Sequence, residues 1–164
     1  MSSIIAQLSA QQVWEQFLAY RLVKGRLNWN EFEREDEIIE REEYLPLVDD
    51  IIAGAGLSIP QKKVINKMGT GKKRVVYTYA PGEMIVLKVL AYLLYKYDDK
   101  FSPDCYAFRR GLKASDAVLR LYHKVRKKGL WAYKLDISNY FNSISIPILL
   151  EKLSNVVSDD SELY

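Results

Sequence analysis

Residues 130–146 read Leu-Trp-Ala-Tyr-Lys-Leu-Asp-Ile-Ser-Asn-Tyr-Phe-Asn-Ser-Ile-Ser-Ile, and the reading of this stretch decides the fold class. The run Trp131 to Leu135 has the aromatic and apolar composition of a strand and ends at a single carboxylate, Asp136. A short aromatic turn, Tyr140-Phe141, leads from it toward the next helix. A buried strand excludes an unpaired carboxylate, because desolvating the charge costs several kcal/mol without a partner or a metal. Asp136 is therefore expected to face a cation or water.

Working outward, 164 residues suit one ordinary domain or part of a larger one, and 49% apolar residues are enough for a core. The longest apolar run, Met84 to Tyr95, is interrupted by Lys88 and is too short to span a bilayer, and residues 1–30 lack the pattern of a secretory leader. The expectation is a soluble, cytoplasmic protein with no membrane partner. A single cysteine, Cys105, excludes an internal disulfide and a multi-cysteine zinc site, and a single histidine, His123, excludes a histidine cluster. Metal chemistry here has to use oxygen ligands.

The net charge of +3 conceals a segregation. Glu31 to Glu43 holds eight acidic residues against two arginines, whereas Lys62 to Lys128 holds seventeen Lys and Arg against five acidic residues. The middle of the chain suits a polyanion. Its interleaved Tyr77, Tyr79, Tyr106 and Phe108 favour nucleic acid over a membrane surface, since rings stack on bases while cations meet phosphates. The acidic run is expected to be a solvated helix face.

Val13, Trp14, Phe17, Leu18, Arg21 and Leu22 recur at helical spacing, predicting a helix over 10–23 with Ser9 as N-cap. A second helix is expected over 30–53, capped by Asn28 or Asn30 and kinked or divided at Pro46. Two β-prone segments over 59–80 flank Gly69-Thr70-Gly71 and predict a hairpin with Lys62, Lys63, Lys67, Lys72, Lys73 and Arg74 near its tip. Glycine-turn NH groups with these cations suit a triphosphate or a nucleic-acid backbone, although the spacing is not that of a Walker loop. The alternative is an edge hairpin whose lysines prevent aggregation. Helices follow from Pro81 to about Tyr97, from about Ala114 to Lys127 and from Ile146 to Val157, with the strand over 131–136 between the last two and a frayed end from Ser158.

Three segments fall into one order: Gly71-Lys72-Lys73-Arg74, then Tyr106-Ala107-Phe108-Arg109-Arg110-Gly111 with Asp116-Ala117, then Asp136-Ile137-Ser138-Asn139-Tyr140-Phe141-Asn142-Ser143-Ile144. On these the chain resembles the N-terminal part of bacterial reverse transcriptases of the group II intron and retron-like lineage. The resemblance implies an α+β fold: the fingers subdomain and the beginning of the palm of a right-hand polymerase, helix-rich with a basic β-hairpin. It divides the chain into a helical extension (1–58), fingers (59–130) and the start of the palm (131–164). It implies that Asp136 and the Ile137 carbonyl bind Mg²⁺ or Mn²⁺, once the rest of the palm is present. Phe141, with Tyr140 beside it, would lie beneath the sugar of the incoming dNTP and reject a ribonucleotide. Arg74, with Lys67, Lys72 and Lys73, would hold the triphosphate, and Lys62, Lys63, Arg109, Arg110 and Lys113 would line the path of RNA template and primer.

The chain departs from that family at Arg110, Lys113, Ser138, Asn142 and Ile146, where proline, serine, lysine, aspartate and a basic residue or histidine are common. The family's second metal motif, two adjacent aspartates behind an aromatic and a small residue, is absent. Asp159-Asp160 follow Val157-Ser158, too close to Asp136. The expectation is a catalytically incomplete polymerase piece, with self-association through any surface the truncation exposes. The alternatives are a standalone RNA-binding module and a basic α+β domain for protein contacts in which Asp136 caps or pairs.

Overall fold

Glu83, in the first turn of its helix, explains how a strand pair is attached to a helical body. The computed structural model describes residues 3–24, 28–66, 68–69, 71–126 and 129–160, with Phe141 described in its backbone alone. The chain gathers into two compact units, Met1–Leu93 and Leu94–Tyr164.

The first unit begins with α1 (Ile4–Gln7), whose N-terminal NH of Ala6 donates to the Ser3 hydroxyl at 3.1 Å. The expected Ser9 cap gives way to this extra turn, and α2 (Gln11–Val23) starts behind Ala10 with no side-chain cap. The corner between them is fixed by Trp14, whose indole NH donates to the Leu8 carbonyl at 2.7 Å. The helix expected over 30–53 is two helices, α3 (Trp29–Glu40) and α4 (Leu45–Ile52). Asn28 closes a capping box with Glu31 at the start of α3, which satisfies two otherwise unpaired NH groups. Glu42, at φ 53°, breaks the helical path, and Pro46 sits in the first turn of α4, where its missing NH costs nothing.

The hairpin forms as expected, but Lys62 and Lys63, expected near its tip, lie at its open end opposite Tyr77 and Val76. β1 (Gln61–Asn66) pairs antiparallel with β2 (Lys73–Thr78) in a register that sets Gln61 opposite Thr78 and Asn66 opposite Lys73. Gly69 and Gly71 in the turn take φ 74° and 61°, which side-chain-bearing residues avoid. α5 (Pro81–Leu93) follows at once, with Glu83 buried in its first turn. The Glu83 carboxylate accepts from the Ser58 NH at 2.6 Å, the Ser58 hydroxyl at 2.7 Å and the Ala80 NH at 3.1 Å. Residues on either side of the hairpin are thereby tied to one side chain.

α2 packs on α3 and α5, and α1 and α4 also pack on α5. Between them lie Leu8, Trp14, Phe17, Leu18, Ile39, Tyr44, Val48, Ile85, Val86 and Val89. The Trp14 and Tyr44 rings stack with centroids 3.8 Å apart, and burial pushes the Tyr44 phenol above its ordinary pKa. One charge joins the core: Glu35, on α3, accepts through Oε1 from Arg21 of α2 and from Lys88 of α5, the latter at 2.8 Å. Three helices thus meet on one oxygen.

The second unit holds a 3₁₀ helix (Leu94–Lys100), α6 (Ala114–Val125), the single turn α7 (Tyr140–Ser143) and α8 (Ile146–Val156). The Tyr97 hydroxyl donates to Asp159 at 2.8 Å; burial raises the Tyr97 pKa, and this bond lowers that of Asp159. The strand expected over 131–136 is not formed: residues 131–137 are neither helix nor ladder and all are exposed. A strand's backbone groups need a partner, and the described residues of this unit include no other strand. The protein is an α+β fold, rich in helix, with one antiparallel hairpin. Among the described residues no helix is long and apolar enough to cross a membrane.

Removing the shared charge leaves Arg21, 13% exposed, without Glu35, so Glu35→Ala is expected to cost about 3 kcal/mol in urea unfolding. A change below about 0.5 kcal/mol would discard that role. The Ser58 hydroxyl, then the Ser58 NH, hold the Glu83 carboxyl below its ordinary value of 4.5. Its contribution is complete above that value and is lost as pH falls through the depressed folded value. Thermal midpoints should drop more steeply in acid for the native chain than for Glu83→Gln, and parallel curves would reject this linkage.

Candidate nucleic-acid interface

The hairpin register sorts its cations onto two faces. Directly opposed residues share a face, so Lys62–Tyr77, Val64–Val75 and Asn66–Lys73 form one side, and Lys63–Val76 and Ile65–Arg74 lie on the other. The first side is exposed at every position, and it presents two aliphatic residues between Lys62 at one end, with the Tyr77 ring beside it, and Lys73 at the other. That is the combination single-stranded nucleic acid needs, a stacking surface with cations for the backbone. Val76 and Thr78 on the second side are half-buried. Lys73 and Arg74, expected to act together on a triphosphate, point to opposite faces because adjacent strand residues alternate. Lys72 precedes β2 and is exposed, whereas Lys67 lies outside the described residues.

The second basic segment is held by carboxylates. Arg109 lies within 3.6 Å of Asp98, donates to the Ser102 carbonyl at 3.2 Å and sits over the Phe101 ring. Its side chain is only 14% exposed, so the guanidinium fixes the loop instead of facing a template. The Arg110 NH donates to the same Asp98 carboxylate at 2.8 Å, and the residue is exposed. Lys113 precedes α6, its NH donating to Asp116 at 2.7 Å while the Asp116 NH returns to its carbonyl at 3.0 Å. On α6, Arg120 and Lys124 both reach Asp104. Between these anchors Phe108 is held at φ 56° with its ring 93% exposed. A bulky residue in this left-handed region is strained, and strain that persists is a mark of a functional position.

Asp136 and Ile137 are exposed, and among the described residues Asp136 has no hydrogen bond or ion pair. The following turn is organised by Asn139 at φ 53°, whose side chain accepts from Asn142 at 2.6 Å and whose carbonyl accepts from the Ser143 hydroxyl at 3.1 Å. Tyr140 is half-exposed, and Phe141 lies in the turn by its backbone, its side chain outside the described residues. A magnesium ion takes about six oxygen ligands. Asp136 and the Ile137 carbonyl offer two, and no group of three acidic, histidine or cysteine residues among those described can hold a metal. The donor set present does not fit a two-metal centre, and no chemical step through a metal follows from these residues alone.

Comparison of the chain with protein-family models, with curated proteins and with solved structures returns no match. The residues that the sequence did not disclose are the anchoring acids, Asp98 and Asp104. The available signal was their rarity, since they are two of only five acidic residues among seventeen basic ones between Lys62 and Lys128.

Phe108→Asn, which accepts a left-handed backbone more readily, is expected to stabilise the protein by roughly 0.5–1 kcal/mol. The urea midpoint checks this, and a destabilised variant would show that the exposed ring contributes packing.

Proposed function

We propose that this chain is the fingers and first palm segment of an RNA-directed DNA polymerase, which holds RNA template, primer and incoming deoxynucleotide and does not polymerise alone. The reading rests on one observation, the order and spacing of the segments at Gly71–Arg74, Tyr106–Gly111 and Asp136–Ile144. The paired hairpin supports it, since the first segment leads into a strand that displays Lys62, Lys73 and Tyr77 on one exposed face. Under this reading residues 59–130 are fingers and 131–164 begin the palm. Asp136 would then be one ligand of a Mg²⁺ site whose other carboxylates belong to the family's paired-aspartate motif, which this sequence lacks.

A second reading has its own support: among the described residues no acidic cluster accompanies Asp136. A module that keeps the basic surface without chemistry then binds structured RNA and nothing more.

Both readings require RNA binding that weakens steeply with salt, because each phosphate contact releases a counterion. Lys62→Glu combined with Lys73→Glu should weaken RNA binding by about tenfold or more and reduce the salt slope by about one to two. Fluorescence titration at several salt concentrations measures both, and no binding at low salt would reject both readings. Primer extension separates them. The chain alone should synthesise no DNA. Joined to a palm carrying paired aspartates, it should synthesise DNA in the native form and none as Asp136→Ala; retained synthesis would remove Asp136 from the metal site.

A further inference from the structure

The segment after Gly129 combines three observations. Trp131, Tyr133, Leu135 and Ile137 are 94%, 89%, 92% and 67% exposed, an alternating apolar row with no cover. Ala132, Lys134, Asp136 and Ser138 alternate with them as a row of small and charged side chains, in which Lys134 and Asp136 have no hydrogen bond or ion pair among the described residues. Asn139, at φ 53°, turns the chain and ends any strand at Ser138. A period-two pattern of seven residues, Ala132 to Ser138, is a strand in every respect except a partner.

We infer that the partner is the same segment of a second copy of this chain, paired antiparallel about a two-fold axis through Leu135. The charges choose the register. Centred on Leu135, Lys134 of each copy lies opposite Asp136 of the other, Tyr133 opposite Ile137 and Ala132 opposite Ser138, so the seven-residue window is used from end to end. Centring on Lys134 sets two ammonium groups against each other, and centring on Tyr133 sets Lys134 against Ala132 and Asp136 against Leu130. A register between residues puts apolar side chains opposite polar ones and is excluded by the pleat. Opposite charges placed directly across a ladder stabilise it and like charges destabilise it, and here the two-fold doubles the pair.

A two-stranded ladder alone is marginal in water. Each copy brings further unpartnered apolar residues from the same unit, including Val118 and Leu121 of α6 and Ile146 and Ile148 of α8, all more than half exposed. The inference is independent of the polymerase reading, because it uses only the pattern and exposure of residues 130–139. It has one consequence for that reading: pairing with Lys134 of the second copy occupies the Asp136 carboxylate.

Sedimentation of the full chain across concentration is the test. The native protein should form a dimer. Lys134→Asp and Asp136→Lys should each raise the dimer dissociation constant about tenfold or more, and the two together should restore it. In a Cys105→Ser background, Leu135→Cys should oxidise to a covalent dimer, because position 135 faces itself across the axis, whereas Tyr133→Cys should not. Far-UV circular dichroism verifies that each variant is folded. A monomer at all concentrations, assembly beyond the dimer, failure of the charge swap to restore pairing, or equal cross-linking at 133 and 135 would each overturn the inference.

Discussion

The Glu83 carboxylate is the constraint on which the arrangement of the first unit depends. It is buried at the start of α5 and accepts from Ser58 before the hairpin and from Ala80 after it. A negative charge in the first helical turn is favoured by the helix dipole, and three donors replace the water it has lost. The hairpin needs such a fixture, because a two-stranded ladder with one fully exposed face has little apolar area of its own to hold it. Closing the chain at its base keeps the strands free to present side chains. Glu35 does comparable work among the helices, where one carboxylate oxygen receives cations from α2 and α5.

In both units acidic residues decide what the basic ones can do. Asp98 engages Arg109 and the Arg110 NH, and Asp104 engages Arg120 and Lys124, so three of the seventeen cations in the middle of the chain hold its own loop. Charge counted along the sequence therefore overstates the charge presented to a polyanion. What is presented concentrates on the hairpin, where Lys62, with Tyr77 beside it, and Lys73 flank Val64 and Val75.

Features set by neighbours in sequence were legible. The glycines at 69 and 71 announced the hairpin, Asn28 was one of two expected caps of the second helix, and Pro46 signalled that this helix is divided, although the break itself falls at Glu42. Features set by distant partners were not. Ser9 has the chemistry of a cap, yet Trp14 bonding to the Leu8 carbonyl fixes a different corner. Trp131 to Asp136 has the composition of a strand, yet composition cannot supply the second backbone that a ladder requires. For the candidate site, sequence gave residue types in order but not their facing: Lys73 and Arg74 are neighbours that lie on opposite faces, and Arg109 is an apparent template contact that is committed to Asp98.

Phe108 shows what the anchoring acids achieve. Its backbone immediately precedes Arg109 and Arg110, both bonded to Asp98, and takes a conformation an unrestrained chain seldom visits, while its side chain stands in solvent. A surface aromatic on a loose loop would surrender backbone entropy on gripping anything flat. Here that ordering is completed during folding, so a planar group stacking on the ring meets a preorganised partner and loses chiefly its own freedom.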